Sequence, residues 1–123
     1  MLHCQLRSPD RTFYEGEATS VTARSPSGEF AVLPHHAPLL AELAAGPIRI
    51  QTASGERHFA CFGGTLAVEG DRMVILGSEI VPREEIDLET ARRLAADAAR
   101  PDAERKVARA RLGLFEKVAG RHG

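Results

Sequence analysis

The chain has 123 residues, with 16 Lys+Arg against 17 Asp+Glu, a formal charge of -1, 43% hydrophobic and 27% charged side chains. That balance lacks the basic footprint that favours a nucleic-acid duplex or an anionic membrane surface, and the composition is that of a globular chain, not a disordered tail. No apolar run approaches the roughly 20 residues of a membrane span. Met1-Leu2-His3-Cys4 opens a polar, alternating stretch with no apolar signal-peptide core, so a cytoplasmic chain with no membrane insertion is expected. The average hides a break near Pro82. Residues 1–82 hold six of the seven prolines and eight of the eleven glycines, with six basic and nine acidic residues, net -3. Residues 83–123 hold ten basic and eight acidic residues, net +2. Two units are expected, 1–82 and 83–123.

In chain order, the first unit reads as short strands. His3 to Arg7, Glu17 to Arg24, Glu29 to Leu33, Ile48 to Thr52, His58 to Phe62, Gly64 to Glu69 and Met73 to Leu76 are rich in β-branched, aromatic and leucine side chains. Turn residues separate them, as at Ser8-Pro9-Asp10, Ser25-Pro26-Ser27-Gly28, Ala53-Ser54-Gly55 and Gly70-Asp71. Ile48 and Ile50 alternate with Arg49 and Gln51, the pattern of a strand with one face packed and one wet. Strands so closely spaced predict an antiparallel sandwich or flattened barrel. Ala37 to Ala45, bracketed by Pro34, Pro38 and Pro47, is expected to be a loop or at most one helical turn. Cys4 and Cys61 are too few and too far apart for a disulfide framework or a paired metal motif, and both fall in apolar-alternating segments, which predicts buried free thiols.

Past Pro82 the period becomes helical. Asp87 is placed to cap a helix with a stripe of Leu88, Ala91, Leu94, Ala95 and Ala98, ending near Arg100 because Pro101 disfavours helical geometry just before it. Asp102 is placed to cap a second helix with Glu104 in its first turn and Lys117 and Arg121 near its end. Its stripe is Val107, Ala110, Leu114 and Val118, flanked by Leu112 and Phe115. A two-residue break predicts an antiparallel hairpin. Burying an alanine methyl is worth well under ~1 kcal/mol, and helices of about 12 residues are marginal alone. The hairpin must therefore dock on something, and its hold is weak.

Catalytic chemistry is not encoded in an evident way. Adjacent His35 and His36 in an extended segment face opposite ways, with no Cys, Asp or Glu at ligand spacing, so a hydrogen-bonded turn is the plainer reading than a metal site. Gly63-Gly64 precedes strand-like Thr65-Leu66-Ala67-Val68, not a helix N-terminus, and reads as a tight turn or bulge, not a phosphate cradle. No Gly-x-Ser-x-Gly elbow and no nucleophile with a nearby His and carboxylate is present. The residues describe an interaction protein.

The run Ser27-Gly28-Glu29-Phe30-Ala31-Val32-Leu33-Pro34-His35-His36-Ala37-Pro38-Leu39-Leu40 resembles the signature loop of the epsilon subunit of F-type ATP synthase. The family's order continues through Leu43, Ala45-Gly46-Pro47-Ile48-Arg49-Ile50, Phe62-Gly63-Gly64-Thr65-Leu66-Ala67-Val68, Val74-Ile75-Leu76 and a charged helical hairpin, so the resemblance covers nearly the whole chain. It implies an N-terminal β-sandwich of about ten strands followed by two helices. It also implies a non-catalytic rotor subunit in the central stalk, beside gamma and the c-ring, coupling proton-driven rotation to ATP synthesis. The hairpin of such a subunit can extend toward the catalytic alpha and beta subunits and inhibit ATP hydrolysis. The complex would sit at the cytoplasmic face of the bacterial plasma membrane, with this chain peripheral to it.

By position in the matching loop, Glu29, Phe30, His36, Ala37, Pro38, Leu39 and Leu40 would face gamma or the c-ring. Arg92, Arg93, Arg105, Lys106, Arg109 and Arg111 would be the arm that meets acidic surface on the catalytic subunits, against the plainer reading of a solvated helix face. Two departures stand out. His35 occupies a place where the family usually has Gly. Some bacterial members bind ATP through an Ile/Leu-Asp-x-x-Arg-Ala stretch, which here reads Ile86-Asp87-Leu88-Glu89-Thr90-Ala91, with Thr90 in the arginine place and Arg92 and Arg93 nearby. ATP is thus a weakly supported regulatory ligand through Ile86, Asp87 and Arg92, and no other cofactor is implied. The rival reading is a free-standing sandwich that binds a small ligand or metal through the His35-His36 loop.

Overall fold

The structure is a computed structural model that describes residues 1–120; Arg121 lies outside the described residues. Eight strands come first: β1 (Leu2–Ser8), β2 (Arg11–Ala18), β3 (Ser20–Ser25), β4 (Gly28–Val32), β5 (Leu39–Thr52), β6 (Gly55–Glu69), β7 (Arg72–Gly77) and β8 (Ile80–Pro82). A 3-10 turn at Arg83–Glu85 leads to α1 (Leu88–Ala96) and α2 (Asp102–Ala119). The strand order is β2-β1-β7-β6-β5-β3-β4, with β8 on β6. Every pairing is antiparallel except that of β1 with β7.

Two long strands fold this sheet into a sandwich. β5 and β6 pair from Leu39↔Val68 to Thr52↔Gly55. Along that length β6 changes its other partner, from β8 at Phe59–Cys61 to β7 at Gly64–Glu69. One layer is therefore β2, β1, β7, the second half of β6 and the first half of β5. The other is β4, β3, the second half of β5, the first half of β6 and β8. Counted by layer the eight strands make ten segments. Leu2, Cys4, Leu6, Leu66, Met73 and Ile75 from the first layer meet Val21, Val32, Ile48, Ile50 and Phe59 from the second in one buried cluster. Both cysteines lie in it, with Cys4 pushed up to about 12 and Cys61 to about 11 by burial, so neither is a thiolate at neutral pH.

The bend sits at Gly63-Gly64, with φ of 92° and 138°. A Cβ on Gly64 would lie on the carbonyl oxygen of Leu76 and against the backbone of Gly77. Gly63-Gly64 is thus the inflection of one continuous strand, where a turn or bulge between two strands is expected. The segment expected as a loop, Ala37 to Ala45, is β-strand from Leu39 onward. Pro47 is tolerated in that strand because it lies outside Arg49–Gln51, the stretch where β5 also serves β3.

The hairpin also departs from expectation in detail. Asp87 does cap α1, its Oδ1 accepting the Thr90 N–H at 3.1 Å. However, α1 stops at Ala96, not near Arg100, and Asp97 already has extended backbone with its Oδ1 accepting the Ala99 N–H. Pro101 is the N-cap of α2, with no side-chain cap bond, and Asp102 is its first residue, one position past the expected cap but still an acidic side chain in the first turn. Val107 is 60% exposed and Ala110 is exposed. The docked face of α2 keeps Leu114 and Val118 of the expected stripe and its flanks Leu112 and Phe115, so only the Val107 and Ala110 end is turned outward.

These side chains, with Ala91 and Leu88 of α1, cover Ala60, Phe62 and Val81 on the outer face of the second layer. Arg111 straps the contact. Its guanidinium donates to both Glu79 oxygens at 2.8 Å and lies 4.3 Å from the Phe62 ring centre, while Phe62 meets Phe115 edge to face at 5.6 Å. The Arg111 hydrogen bonds hold the Glu79 carboxyl below its ordinary pKa.

Two outcomes test this account. Gly64→Ala is expected to cost more than about 2 kcal/mol in thermal unfolding, since both its positive φ and backbone overlap penalise a side chain. Because the native Glu79 pKa is depressed, its contribution to docking is complete above the ordinary carboxylate range and is lost as pH falls through the lowered value. Protection factors of the α2 amides, taken against the intrinsic exchange rate at each pH, should therefore fall below about pH 4 while the sandwich core stays protected.

Candidate functional site

One end of the sandwich gathers most of the loop residues singled out by sequence. The Ser25–Gly28 turn is closed by the Ser25 hydroxyl donating to the Gly28 carbonyl at 3.0 Å. Beyond β4 the chain turns at Leu33–His36, with the His36 N–H donating to the Leu33 carbonyl at 3.2 Å, before entering β5. Glu29, Phe30, His36 and Leu39 share an open cavity of about 590 Å³ between these segments. Phe30 and Leu39 also pack against the core, which fixes the cavity floor. Ala37, Pro38 and Leu40 are exposed beside it, Leu40 at 78%.

The two histidines have separate partners. His36 Nδ1 is 2.7 Å from the Ala37 carbonyl. His35 has φ 65°, the left-handed region that favours Gly. Its backbone N–H donates to Asp71 Oδ1 at 3.1 Å and its Nδ1 is 3.7 Å from the same oxygen. The β6–β7 turn thus holds a conformation that costs a non-glycine residue about 1 kcal/mol. Among the described residues no group of three His, Cys, Asp or Glu side chains gathers to hold a metal ion.

Next to this end, the outer face of the first layer carries an apolar strip. Leu40 pairs with Ala67 and Ala67 with Val74, while Leu76 lies one step along β7. Val74 and Leu76 are 43% and 44% exposed. Their signal in the sequence is that Met73-Val74-Ile75-Leu76 is apolar at every position, so a strand with Met73 and Ile75 inside must show Val74 and Leu76 outside.

The arm residues divide. Lys106 and Arg109 are exposed. Arg92 pairs with Glu116 across the hairpin at 3.7 Å, and Arg93 donates to the Thr90 hydroxyl at 3.1 Å. Arg105 pairs with Asp102, and Arg111 is held by Glu79. Of the three nucleotide candidates, Ile86 and Asp87 line a second cavity of about 670 Å³ between the helices, whereas Arg92 does not. Thr90 in the arginine place bonds to Asp87 through both its N–H and its hydroxyl. The cavity walls are apolar, with Leu94, Val107 and Phe115. Of its arginines, Arg100 lies 3.5 and 3.9 Å from Asp97 and Glu104 and Arg111 is on Glu79.

Among the described residues no helix is long and apolar enough to cross a membrane. A family model for the beta-sandwich domain of the ATP synthase delta/epsilon chain matches residues 1–83. The ATP synthase epsilon chain of Streptomyces griseus is 39% identical over 104 residues, covering 84% of this chain and 83% of the relative. That of Nocardia farcinica is 36% identical over 116 residues, covering 93% and 89%. A chain in the cryo-EM structure of the Euglena gracilis mitochondrial ATP synthase (OSCP/F1/c-ring) superposes with a TM-score of 0.68 at 28% identity, over 94% of this chain and 77% of that one. A chain of the Tetrahymena thermophila central stalk/c-ring structure, at 20% identity and a TM-score of 0.63 over 96% of each chain, shares the fold. From its family-model match and these relatives, the chain belongs to the ATP synthase epsilon-chain family.

Proposed function

We propose that the chain is a non-catalytic rotor subunit of the ATP synthase central stalk, coupling c-ring rotation through gamma to ATP synthesis, with a hairpin that can leave the sandwich and inhibit ATP hydrolysis. The observation that carries this reading is the junction of two surfaces on one stiff body. The loop cluster of Glu29, Phe30, His36 and Leu39 closes one end, and the apolar strip of Leu40, Val74 and Leu76 runs along the adjoining face. A polar, loop-rich end suits the c-ring and an apolar face suits lasting contact with gamma. Both stand on a sandwich whose layers share two continuous strands, which suits torque transmission.

The hairpin suits regulation. Only Ala91, Phe115 and Val118 of its two helices are buried, so its hold rests on few contacts. Lys106 and Arg109, exposed in the docked position, would meet acidic surface on the alpha and beta subunits once the arm extends, joined by Arg92, Arg93, Arg105 and Arg111 as their local pairs break. The chain would work as a peripheral component at the cytoplasmic face of the bacterial plasma membrane. The rival reading, a metal or small-ligand site at His35-His36, is disfavoured by the separate partners of the two rings.

The chain has no resident cofactor in this reading. ATP, as a regulatory ligand, would enter the cavity beside Ile86 and Asp87, where both arginines, Arg100 and Arg111, are already engaged by carboxylates and Glu85, Asp87 and Glu104 leave no excess of positive charge for a triphosphate. Calorimetry should therefore give an affinity for ATP weaker than about 0.1 mM; micromolar binding would overturn this.

For the rotor role, Leu40→Arg with Val74→Arg should weaken gamma association at least about tenfold, as expected for charges placed in an apolar interface, with the sandwich melting unchanged. Deleting residues 84–123 should preserve gamma binding and raise ATP hydrolysis by the assembled complex. Normal gamma affinity in the double variant, or unaltered hydrolysis after deletion, counts against the corresponding half of the proposal.

A further inference from the structure

The loop between β4 and β5 contains one torsion pair that its own sequence does not fix. Leu33 and Ala37 precede Pro34 and Pro38, which restricts both to extended backbone, and each proline fixes its own φ. His36 is held at its ring, where Nδ1 lies 2.7 Å from the Ala37 carbonyl. Leu33 to His36 is a β-turn, closed by the His36 N–H on the Leu33 carbonyl at 3.2 Å. With proline second and His35 third at φ 65°, it is a type II turn. The commoner type I differs in the ψ of Pro34 and the φ of His35, that is, in a flip of the Pro34–His35 peptide.

Type II asks for glycine or asparagine at its third position, and here that position is His35. Without other contacts, a residue with a Cβ disfavours the left-handed region by roughly five- to thirtyfold. The loop's own residues therefore favour type I, and the orientation present needs a cause outside the loop. That cause is Asp71, 36 residues on, whose Oδ1 accepts the His35 N–H at 3.1 Å. A hydrogen bond to a carboxylate is large enough to reverse such a preference. The carboxylate is itself held in place. Gly70, at φ 63°, and Asp71 form the two-residue turn between β6 and β7, closed by Glu69↔Arg72. The Asp71 carbonyl also accepts the His3 N–H from β1 at 2.7 Å. The His35 ring adds little, because its Nδ1 is 3.7 Å from the same oxygen and the side chain is 84% exposed.

We propose that Asp71 is a positioning residue for the rotor contact, selecting the flipped Pro34–His35 peptide and so presenting the loop to its partner in one conformation. This rests on the proposed rotor role and names a residue outside the loop that sets it. The N–H and C=O of one trans peptide point opposite ways. Fixing the His35 N–H on Asp71 therefore turns the Pro34 carbonyl away from the β6–β7 turn, and with it the face of the loop that a partner meets. His36, at the end of the turn, lines the cavity with Glu29, and the exposed residues Ala37, Pro38 and Leu40 follow. A loop alternating between two turn types would have to be ordered on binding, and its affinity would be reduced by the fraction in the competent one. Asp71 removes that loss before the partner arrives.

The test uses the full chain, with NMR reading the turn and association with an assembled gamma–c-ring rotor reading the function. The Pro34 α proton and the His35 amide proton are close in type II and distant in type I, so their cross-relaxation reports the flip directly. Asp71→Ala is expected to weaken that signal and to lower rotor affinity roughly three- to tenfold, with the sandwich melting unchanged. Asp71→Asn, which keeps an acceptor oxygen, should recover most of both. His35→Ala should stay as dependent on Asp71 as the native chain, since any Cβ carries the same preference. His35→Gly removes that preference, so adding Asp71→Ala to it should change affinity less than about twofold. Equal losses from Asp71→Ala in the native and the His35→Gly chain, or an unchanged turn signal, overturn the assignment. Flipping of the peptide by Asp71→Ala with rotor affinity unaltered overturns the positioning role, while the rotor reading stands or falls separately on Leu40→Arg with Val74→Arg.

Discussion

The pairing of β5 with β6 is the constraint from which the rest of the architecture follows. A single ladder runs from Leu39↔Val68 to Thr52↔Gly55, and β6 bends across the gap between layers where Gly63 and Gly64 take positive φ. Because the same two strands occupy both layers, neither layer can slide or rotate without stretching backbone hydrogen bonds. A sandwich held by side chains alone could shear at the cost of repacking. Here shear would break the ladder itself, which is the stiffness that a body transmitting torque requires.

That bend also decides where the surfaces lie. It puts the first half of β5 in the first layer, so that Leu40 faces outward beside Ala67 and Val74. It puts the first half of β6 in the second layer, where Cys61 and Phe59 turn inward and Ala60 and Phe62 turn outward beneath the hairpin. The apolar strip and the hairpin seat are thus on opposite outer faces of one body. A partner on the strip leaves the hairpin seat uncovered, so the two surfaces do not compete.

Much of this was legible in the chain, and the parts that were not share a cause. Strict alternation at Ile48-Arg49-Ile50-Gln51 marks a half-wet strand, and the loss of proline and rise in charge after Pro82 marks where strands give way to helices. What local pattern misreads is decided by neighbours distant in sequence. Pro38 and Pro47 look like breakers around Ala37 to Ala45, yet the missing N–H of Pro47 matters little where β3 makes no demand on β5. Gly63-Gly64 looks like an end because a local view contains no Leu76 carbonyl to forbid a side chain there. The helical stripe through Val107 and Ala110 fails for the same reason. Phe62 and Glu79, both in the sandwich, draw Phe115 and Arg111 inward and turn Val107 out.

At the candidate site, the loop residues form one contiguous run in the sequence, and four of them meet in one cavity. The role of Arg111 was not readable, because its partner Glu79 is 32 residues away and in isolation it is one arginine among several on a charged helix. Position alone separates it from Lys106 and Arg109, five and two residues before it in sequence, which remain exposed. A basic helix is often treated as a uniform patch, but here burial against Phe62 and the fork on Glu79 divide it. The charges left exposed act on a partner at a distance, through screened long-range attraction. Arg111, half-buried against Phe62 and held on both nitrogens by Glu79, is placed differently. Under the proposed regulatory role the helix would use both kinds, charges placed to attract a partner and one whose carboxylate must first be lost.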